Sequence, residues 1–170
     1  MHKVAHSAEI DVPADYCFAY VDQFDNIPKF VFGMKSFAAV GPSEPRLGTK
    51  VVGQVQLGPV HFNCHGHVSE HIENRLITVQ LDEGPITGVT TWRFAPVGSN
   101  SCEVSVELSY EIGGGFTGRA LAKIIDSILE PGIRYTDTQL REQLVEGYRT
   151  MATEIEPKAR GTLESGKGLQ

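Results

Sequence analysis

The sequence contains few cysteines and no long hydrophobic run. Its three cysteines, Cys17, Cys64 and Cys102, are far apart and form no Cys-x-x-Cys pair, which argues against a disulfide framework or a structural zinc site. We expect them to be reduced residues that pack in the core. No stretch approaches the ~18 apolar residues of a membrane span, and the N-terminus lacks the apolar core of a signal peptide. We therefore expect a cytoplasmic protein without stable membrane insertion.

Clustered positive charge is also missing. The net charge is -6 at pH 7, and the Lys and Arg residues are scattered. Nucleic acids and anionic membranes bind clustered basic faces, so neither is an expected partner.

A chain of 170 residues with 41% hydrophobic content suits a single globular domain. We expect this domain to cover 1–156 and a flexible tail to follow at 157–170, which lacks apolar periodicity.

The first two thirds of the chain show strand and turn signals. Apolar residues alternate over 4–12, which predicts a half-buried strand, and Pro13 fits the start of a following helix. A second short helix is predicted over 26–32, ending near Gly33. Beyond Met34, runs rich in Val, Thr, Phe and Ile are separated by the turn clusters GPSEPRLG, LGP, ENR, DEGP and PVGSNS. They predict about six strands joined as a meander.

The last third has a helical pattern. Over 117–156, apolar residues recur at steps of three and four, which predicts one long amphipathic helix capped by the Thr117 hydroxyl. Pro131 lacks an N–H, so a kink or short break is expected between 129 and 132. The fold class predicted is α+β, with an antiparallel sheet of about seven strands wrapped around the terminal helix and two short helices after the first strand.

A glycine-rich stretch raises the question of a nucleotide site. Gly113, Gly115 and Gly118 have the spacing of a dinucleotide-binding loop. Such a loop needs a second parallel strand after the helix, and none is predicted. Arg119-Ala120 also stand where a phosphate loop has Lys and Ser or Thr. We interpret the glycines as a sharp turn and expect no nucleotide or other cofactor.

Histidines recur in the segment VHFNCHGHVSEHIE. Alternation places them, with Asn63, on the face opposite Phe62, and two histidines at i, i+2 can chelate a metal. Phe62 favours the core, so we expect a solvent-exposed histidine face and no metal site. The residues of this face are His61, Asn63, His65, His67 and His71.

Polar side chains on apolar faces are the stronger candidates for a site. His6 lies on the apolar face of the first strand, and Asp137 lies on the inner stripe of the long helix unless a kink turns Thr136 inward. A carboxylate that faces an interior must be paired or hydrogen-bonded, so it either anchors the structure or orients a ligand. Both readings are open. Thr90, Trp92, Phe94 and Tyr110 form an aromatic lining with polar tips or ordinary core packing.

The opening of the chain resembles a known family. Ile10-Asp11-Val12-Pro13-Ala14-Asp15, with Phe18, Val21-Asp22 and Ile27-Pro28-Lys29-Phe30, is similar to the start of the START-like SRPBCC superfamily, in particular its polyketide cyclase/dehydrase branch. The resemblance extends to about residue 156 and implies a helix-grip fold, in which a seven-stranded sheet curls around a long C-terminal helix and leaves an apolar cavity. It brings no shared catalytic motif.

The expected function follows from that cavity. We expect a carrier or sensor that binds a hydrophobic small molecule of the lipid, polyketide or quinone-like class. The alternatives are a cyclase/dehydrase-type enzyme, in which Asp137, His6 or Tyr110 moves a proton, and a protein-interaction module. A homodimer is left open. Small residues on the strands, Gly53, Gly66, Gly88 and Ala38, are expected to leave room for the ligand. Its expected contacts are Phe62, Thr90, Trp92, Phe94, Tyr110, Asp137, His6 and Leu140.

Overall fold

The structure is a computed structural model that describes the backbone of residues 1–41 and 47–167 and the side chains of residues 1–41 and 47–154. Most of the turn cluster GPSEPRLG lies outside the described residues. The elements, in chain order, are β1 (His2–Ile10), α1 (Ala14–Val21), a 3-10 turn (Phe24–Asn26), α2 (Ile27–Phe30), β2 (Met34–Ala39), β3 (Lys50–Leu57), β4 (Val60–Ile72), β5 (Leu76–Glu83), β6 (Ile86–Gly98), β7 (Ser101–Ile112) and α3 (Gly115–Lys167).

The strands form one antiparallel, curved sheet of seven strands in the order β1-β7-β6-β5-β4-β3-β2. Strands β2 to β7 are the six-stranded meander that the turn signals predicted. The first strand does not join its sequence neighbour: β1 pairs with β7, where His6 lies opposite Val106. The sheet curls around α3, and the predicted α+β helix-grip fold is confirmed.

The glycine-rich turn before α3 differs in detail from the prediction. The helix begins at Gly115, whose φ of 83° is left-handed, so Thr117 lies inside the first turn and the prediction that it caps the helix was wrong. A Cβ on Gly118 would lie only 1.9 Å from the backbone oxygen of Gly113. Gly118 therefore lies where the start of the helix approaches the backbone of the preceding turn too closely for a side chain.

The long helix is continuous through Pro131, so no break occurs there. A bend at this proline, which its missing N–H predicts, remains a prediction. The helix also extends to Lys167, into the segment that the sequence predicted as a tail. The domain boundary at 156 and the flexibility of 157–170 stay predictions.

The hydrophobic core fills one end of the space between sheet and helix. Leu140 and Leu144 of α3 are buried there with the first helix and the adjoining strands. All three cysteines are free and buried, as predicted. The core members that decide the packing of this end are Ile10, Val12, Cys17, Phe18, Phe30, Phe94, Cys102 and Val104. The part of α3 between Ile125 and Ile133 lies beyond this core and faces open space.

The histidine face follows the predicted alternation only as far as Val68. Between Val68 and Glu70 the pairing with β5 shifts by one residue, and this irregularity reverses the side-chain directions that follow. His71 was therefore wrongly placed on the outer face. It points inward, where its Nε2 lies 2.8 Å from Asp22 Oδ1 and its ring packs edge-on against Phe18.

One histidine of the outer face pairs with a carboxylate of the neighbouring strand. His67 Nδ1 contacts Asp82 Oδ2 at 2.7 Å on the neighbouring strand. No group of three or more His, Cys, Asp or Glu side chains capable of holding a metal ion occurs among the described residues. In the same part of the chain, no helix is both long enough and apolar enough to cross a bilayer.

Candidate functional site

A cavity of about 310 Å³ lies between the inner face of the sheet and α3. Its wall is almost entirely apolar, and its volume is at the lower end of the range of small-molecule sites. The helix contributes one side of the wall through residues spaced three and four apart, which is the inward stripe of an amphipathic helix. These residues are Ile125, Ile128, Leu129, Gly132, Ile133, Thr136, Asp137 and Leu140.

The small residues that were expected to leave room for a ligand have other roles, with one exception. Gly53 lines the cavity. A Cβ on Gly66 or Gly88 would lie 2.0 Å from the backbone oxygen of Gln80 or Ser109 on the next strand. These two glycines allow strands to approach each other closely, and neither they nor Ala38 line the cavity.

Two polar side chains meet at the cavity wall. His6 on β1 lies with its Nε2 3.1 Å from Oδ1 of Asp137 on α3, so the pair joins the edge strand to the helix. The side chain of His6 is 37% exposed and that of Asp137 is 25% exposed, so both are partly shielded. The sequence singled out each residue, but it gave no signal that the two are in contact.

Arg141 extends this polar contact by one helical turn. Its Nη2 lies 3.9 Å from Asp137 Oδ2, and its Nη1 donates a hydrogen bond of 2.8 Å to the backbone oxygen of Glu9 on β1. The edge strand is therefore tied to α3 at two points. Only one of them, the contact of His6 with Asp137, involves residues of the cavity wall.

Thr136 and Asp137 both line the cavity, so the helix turns neither side chain away from it. The two residues differ in the contacts that they make. The backbone N–H of Phe32 donates to Thr136 Oγ1 at 3.0 Å, which docks the loop after α2 onto the helix. Thr136 thus serves a structural contact, whereas Asp137 presents its carboxylate to His6.

Trp92 and Tyr110 lie on the sheet side of the cavity. They are only 9% and 4% exposed, and burial raises the pKa of Tyr110, with a further contribution from the nearby charge of Asp126. Within the described chain, the Trp92 indole N–H, the Tyr110 hydroxyl and the Thr90 hydroxyl make no hydrogen bond. In the described chain, every fully buried side-chain nitrogen or oxygen has a hydrogen-bond partner. Because the groups of Trp92, Tyr110 and Thr90 have none, they are not fully buried. All three residues line the cavity.

The other predicted contacts divide into two groups. Phe62 and Leu140 line the cavity with the residues just described. Phe94 does not line it: its ring packs edge-on against Phe18, 5.5 Å between centroids, in the adjoining core. The sequence analysis missed Cys64, which lines the cavity and follows Phe62 at the two-residue step of the inner strand face. Burial raises the pKa of the Cys64 thiol to about 11.

The sequence matches the model of the family described as "Polyketide cyclase / dehydrase and lipid transport" over residues 1–144. The chain belongs to this family. The START-like SRPBCC resemblance noted in its opening residues is thereby confirmed. A sequence search of curated proteins finds no significant match.

Solved structures of several other proteins show the same fold at low sequence identity. A START superfamily protein from Mycobacterium smegmatis is 18% identical, with a TM-score of 0.67 over 86% of this chain and 99% of that one. The Zhui aromatase/cyclase from Streptomyces sp. R1128 is 10% identical, with a TM-score of 0.65 over 84% and 93%. Norcoclaurine synthase from Thalictrum flavum is 16% identical, with a TM-score of 0.61 over 86% and 96%. At these identities the likeness concerns the fold alone.

Proposed function

We propose that the protein binds a hydrophobic small molecule in the cavity between sheet and α3, as a cytoplasmic carrier or sensor. The observation that carries this proposal is a cavity of about 310 Å³ with an almost wholly apolar wall. Apolar surface moved from water into such a cavity contributes about 25 cal/mol per Å² before the costs of association. The family description, which includes lipid transport, supports the same class of ligand.

The volume of the cavity limits the size of that ligand. Drug-sized molecules occupy sites of about 300–1,000 Å³, so this cavity suits a compact ring system or one segment of a longer lipid. Lipid, polyketide and quinone-like molecules remain the ligand classes proposed, and the small end of each class fits best.

A cavity-filling variant tests the proposal. In Ile125→Trp, a larger side chain on the lining stripe of α3 occupies the ligand space, whereas Lys123→Trp adds the same side chain at an exposed position of the same helix. Binding of N-phenyl-1-naphthylamine, measured by its fluorescence, should be lost in the first variant and kept in the second. Equal binding in both variants, or none by the unmodified protein, would reject the proposal.

A cyclase/dehydrase-type enzyme is the second candidate, favoured by the imidazole and carboxylate that meet in the cavity wall. In that case His6 or Asp137 would transfer a proton to or from the bound molecule. The variant Asp137→Asn separates the candidates, because a carrier keeps its ligand binding and an acid/base catalyst loses turnover. Mass-spectrometric comparison of hydroxylated polycyclic ketones before and after incubation provides the readout.

A further inference from the structure

The contact of His6 with Asp137 fixes which ring nitrogen of His6 is free. Since a carboxylate only accepts hydrogen bonds, Nε2–H of His6 is the donor in this 3.1 Å contact. In the neutral imidazole, Nδ1 then carries the lone pair. Within the described chain, Nδ1 has no hydrogen-bond partner. A residue that lines the otherwise apolar cavity thus carries a free hydrogen-bond acceptor.

We propose that Nδ1 of His6, with the ring oriented by Asp137, accepts a hydrogen bond from the ligand, so that the ligand is a hydrophobic molecule that carries a hydroxyl group. This inference rests on the proposed function, because it specifies the chemistry of the molecule that the cavity binds. A hydroxyl on an apolar ring, as in a phenol or a cyclic alcohol, supplies both the donor and the apolar surface.

A purely structural role explains the pair less well. Arg141 already ties β1 to α3 through the backbone oxygen of Glu9. The inward neighbours of His6 are apolar: Val4 and Ala8 on its own strand, and Val106 opposite it on β7. An apolar side chain at position 6 would therefore suit the fold alone.

The unpaired groups on the sheet provide an independent sign of an oxygen-bearing ligand. The Trp92 indole can only donate, and within the described chain its N–H has no acceptor although the residue as a whole is only 9% exposed, so it can pair with an acceptor oxygen of a ligand. Trp92 lies in the same row of the sheet as His6, with Val106 between them. Two strand spacings place their backbones about 10 Å apart. A ligand with a hydroxyl near His6 and a second oxygen near Trp92 would satisfy both groups.

Three naphthalenes of similar shape test the inference: naphthalene, 2-naphthol and 2-methoxynaphthalene, whose oxygen cannot donate. In calorimetric titrations of the unmodified protein, 2-naphthol should bind about tenfold more tightly than 2-methoxynaphthalene, as expected for one extra hydrogen bond. In His6→Leu this ratio should fall to about one while naphthalene still binds. The control variant Ala5→Leu, which adds the same side chain on the exposed face of β1, should keep the ratio.

A second measurement keeps the test decisive if His6→Leu does not fold. In the unmodified protein, the ¹⁵N resonance of His6 Nδ1 should shift on addition of 2-naphthol and stay in place on addition of 2-methoxynaphthalene. A purely structural pairing with Asp137 predicts the same response to both. An unchanged binding ratio in His6→Leu, or equal responses of the resonance, would overturn the inference and leave the proposed function standing. If naphthalene itself does not bind the unmodified protein, both fail.

Discussion

Cys17 of α1 and Cys102 of β7 meet in the core, with their Sγ atoms 2.7 Å apart and both side chains fully buried. The mutual hydrogen bond raises the pKa of Cys17 and lowers that of Cys102, and burial reinforces the rise at Cys17. This contact joins the first helix to the strand that supports β1.

Removing either thiol should destabilise the fold. Cys17→Ala and Cys102→Ala each leave a small void and should lower the free energy of unfolding by about 1–2 kcal/mol. Because the two residues share one contact, the double variant should lose less than the sum of the single losses. Urea unfolding of the four proteins measures this coupling. Strict additivity would show that the thiols contribute independently.

The glycine-rich turn gives a test with a matched control. Gly118→Ala places a Cβ 1.9 Å from the backbone oxygen of Gly113, whereas Gly114→Ala meets nothing within 4 Å. The first variant should lose about 2 kcal/mol or more of stability and the second less than about 0.5 kcal/mol. Thermal and urea unfolding provide the comparison. Similar stabilities would contradict the assignment of Gly118 to a close backbone contact.

Cys64 should report on the cavity from its wall. With a thiol pKa of about 11, very little thiolate is present at pH 8, so alkylation by iodoacetamide should be slow. The rate should rise about tenfold per pH unit between pH 8 and 10. Saturation with 2-naphthol should slow the reaction, as measured by peptide mapping of the labelled residue. Labelling that is fast at pH 8 or insensitive to the ligand would contradict this placement.

Tyr110 should contribute to the alkaline limit of stability. Its pKa is raised above 10.0 in the fold, mainly by burial, so folding favours the neutral phenol. This contribution is fully present below pH ~10 and is lost as the pH rises through the folded-state pKa. Tyr110→Phe should therefore reduce the loss of stability between pH 9 and 11 in urea titrations. Tyr135→Phe, at a position 46% exposed, is the control and should leave the profile unchanged.

The sequence predicted the elements of the fold well, because each is encoded by local periodicity. Alternation over β7 and the helical stripe of α3 are visible without knowledge of their neighbours. The predictions failed where one element acts on another. The register shift at Val68, where β4 pairs with β5, redirected His71. This shift has no local pattern in the sequence.

The candidate site was predicted residue by residue and not as an arrangement. His6 and Asp137 were found because a polar residue on an apolar stripe stands out, yet 131 positions separate them and only the fold shows their contact. Phe94 was misplaced because β6 contributes side chains to both the core and the cavity. The alternation along the strand shows which side chains face inward, but it does not show where the core ends and the cavity begins. Homodimer formation and the absence of nucleic-acid binding remain predictions.

The pairing of β1 with β7 has a consequence for synthesis of the protein. His2 lies opposite Tyr110, so the first strand meets its partner only after more than a hundred further residues have left the ribosome. Until then the nascent chain carries an edge strand whose N–H and C=O groups are unmatched, which is a recognised hazard for aggregation. Pairing over such a sequence distance is also slow. The hollow interior therefore takes shape late, when nearly all of the polypeptide has been made.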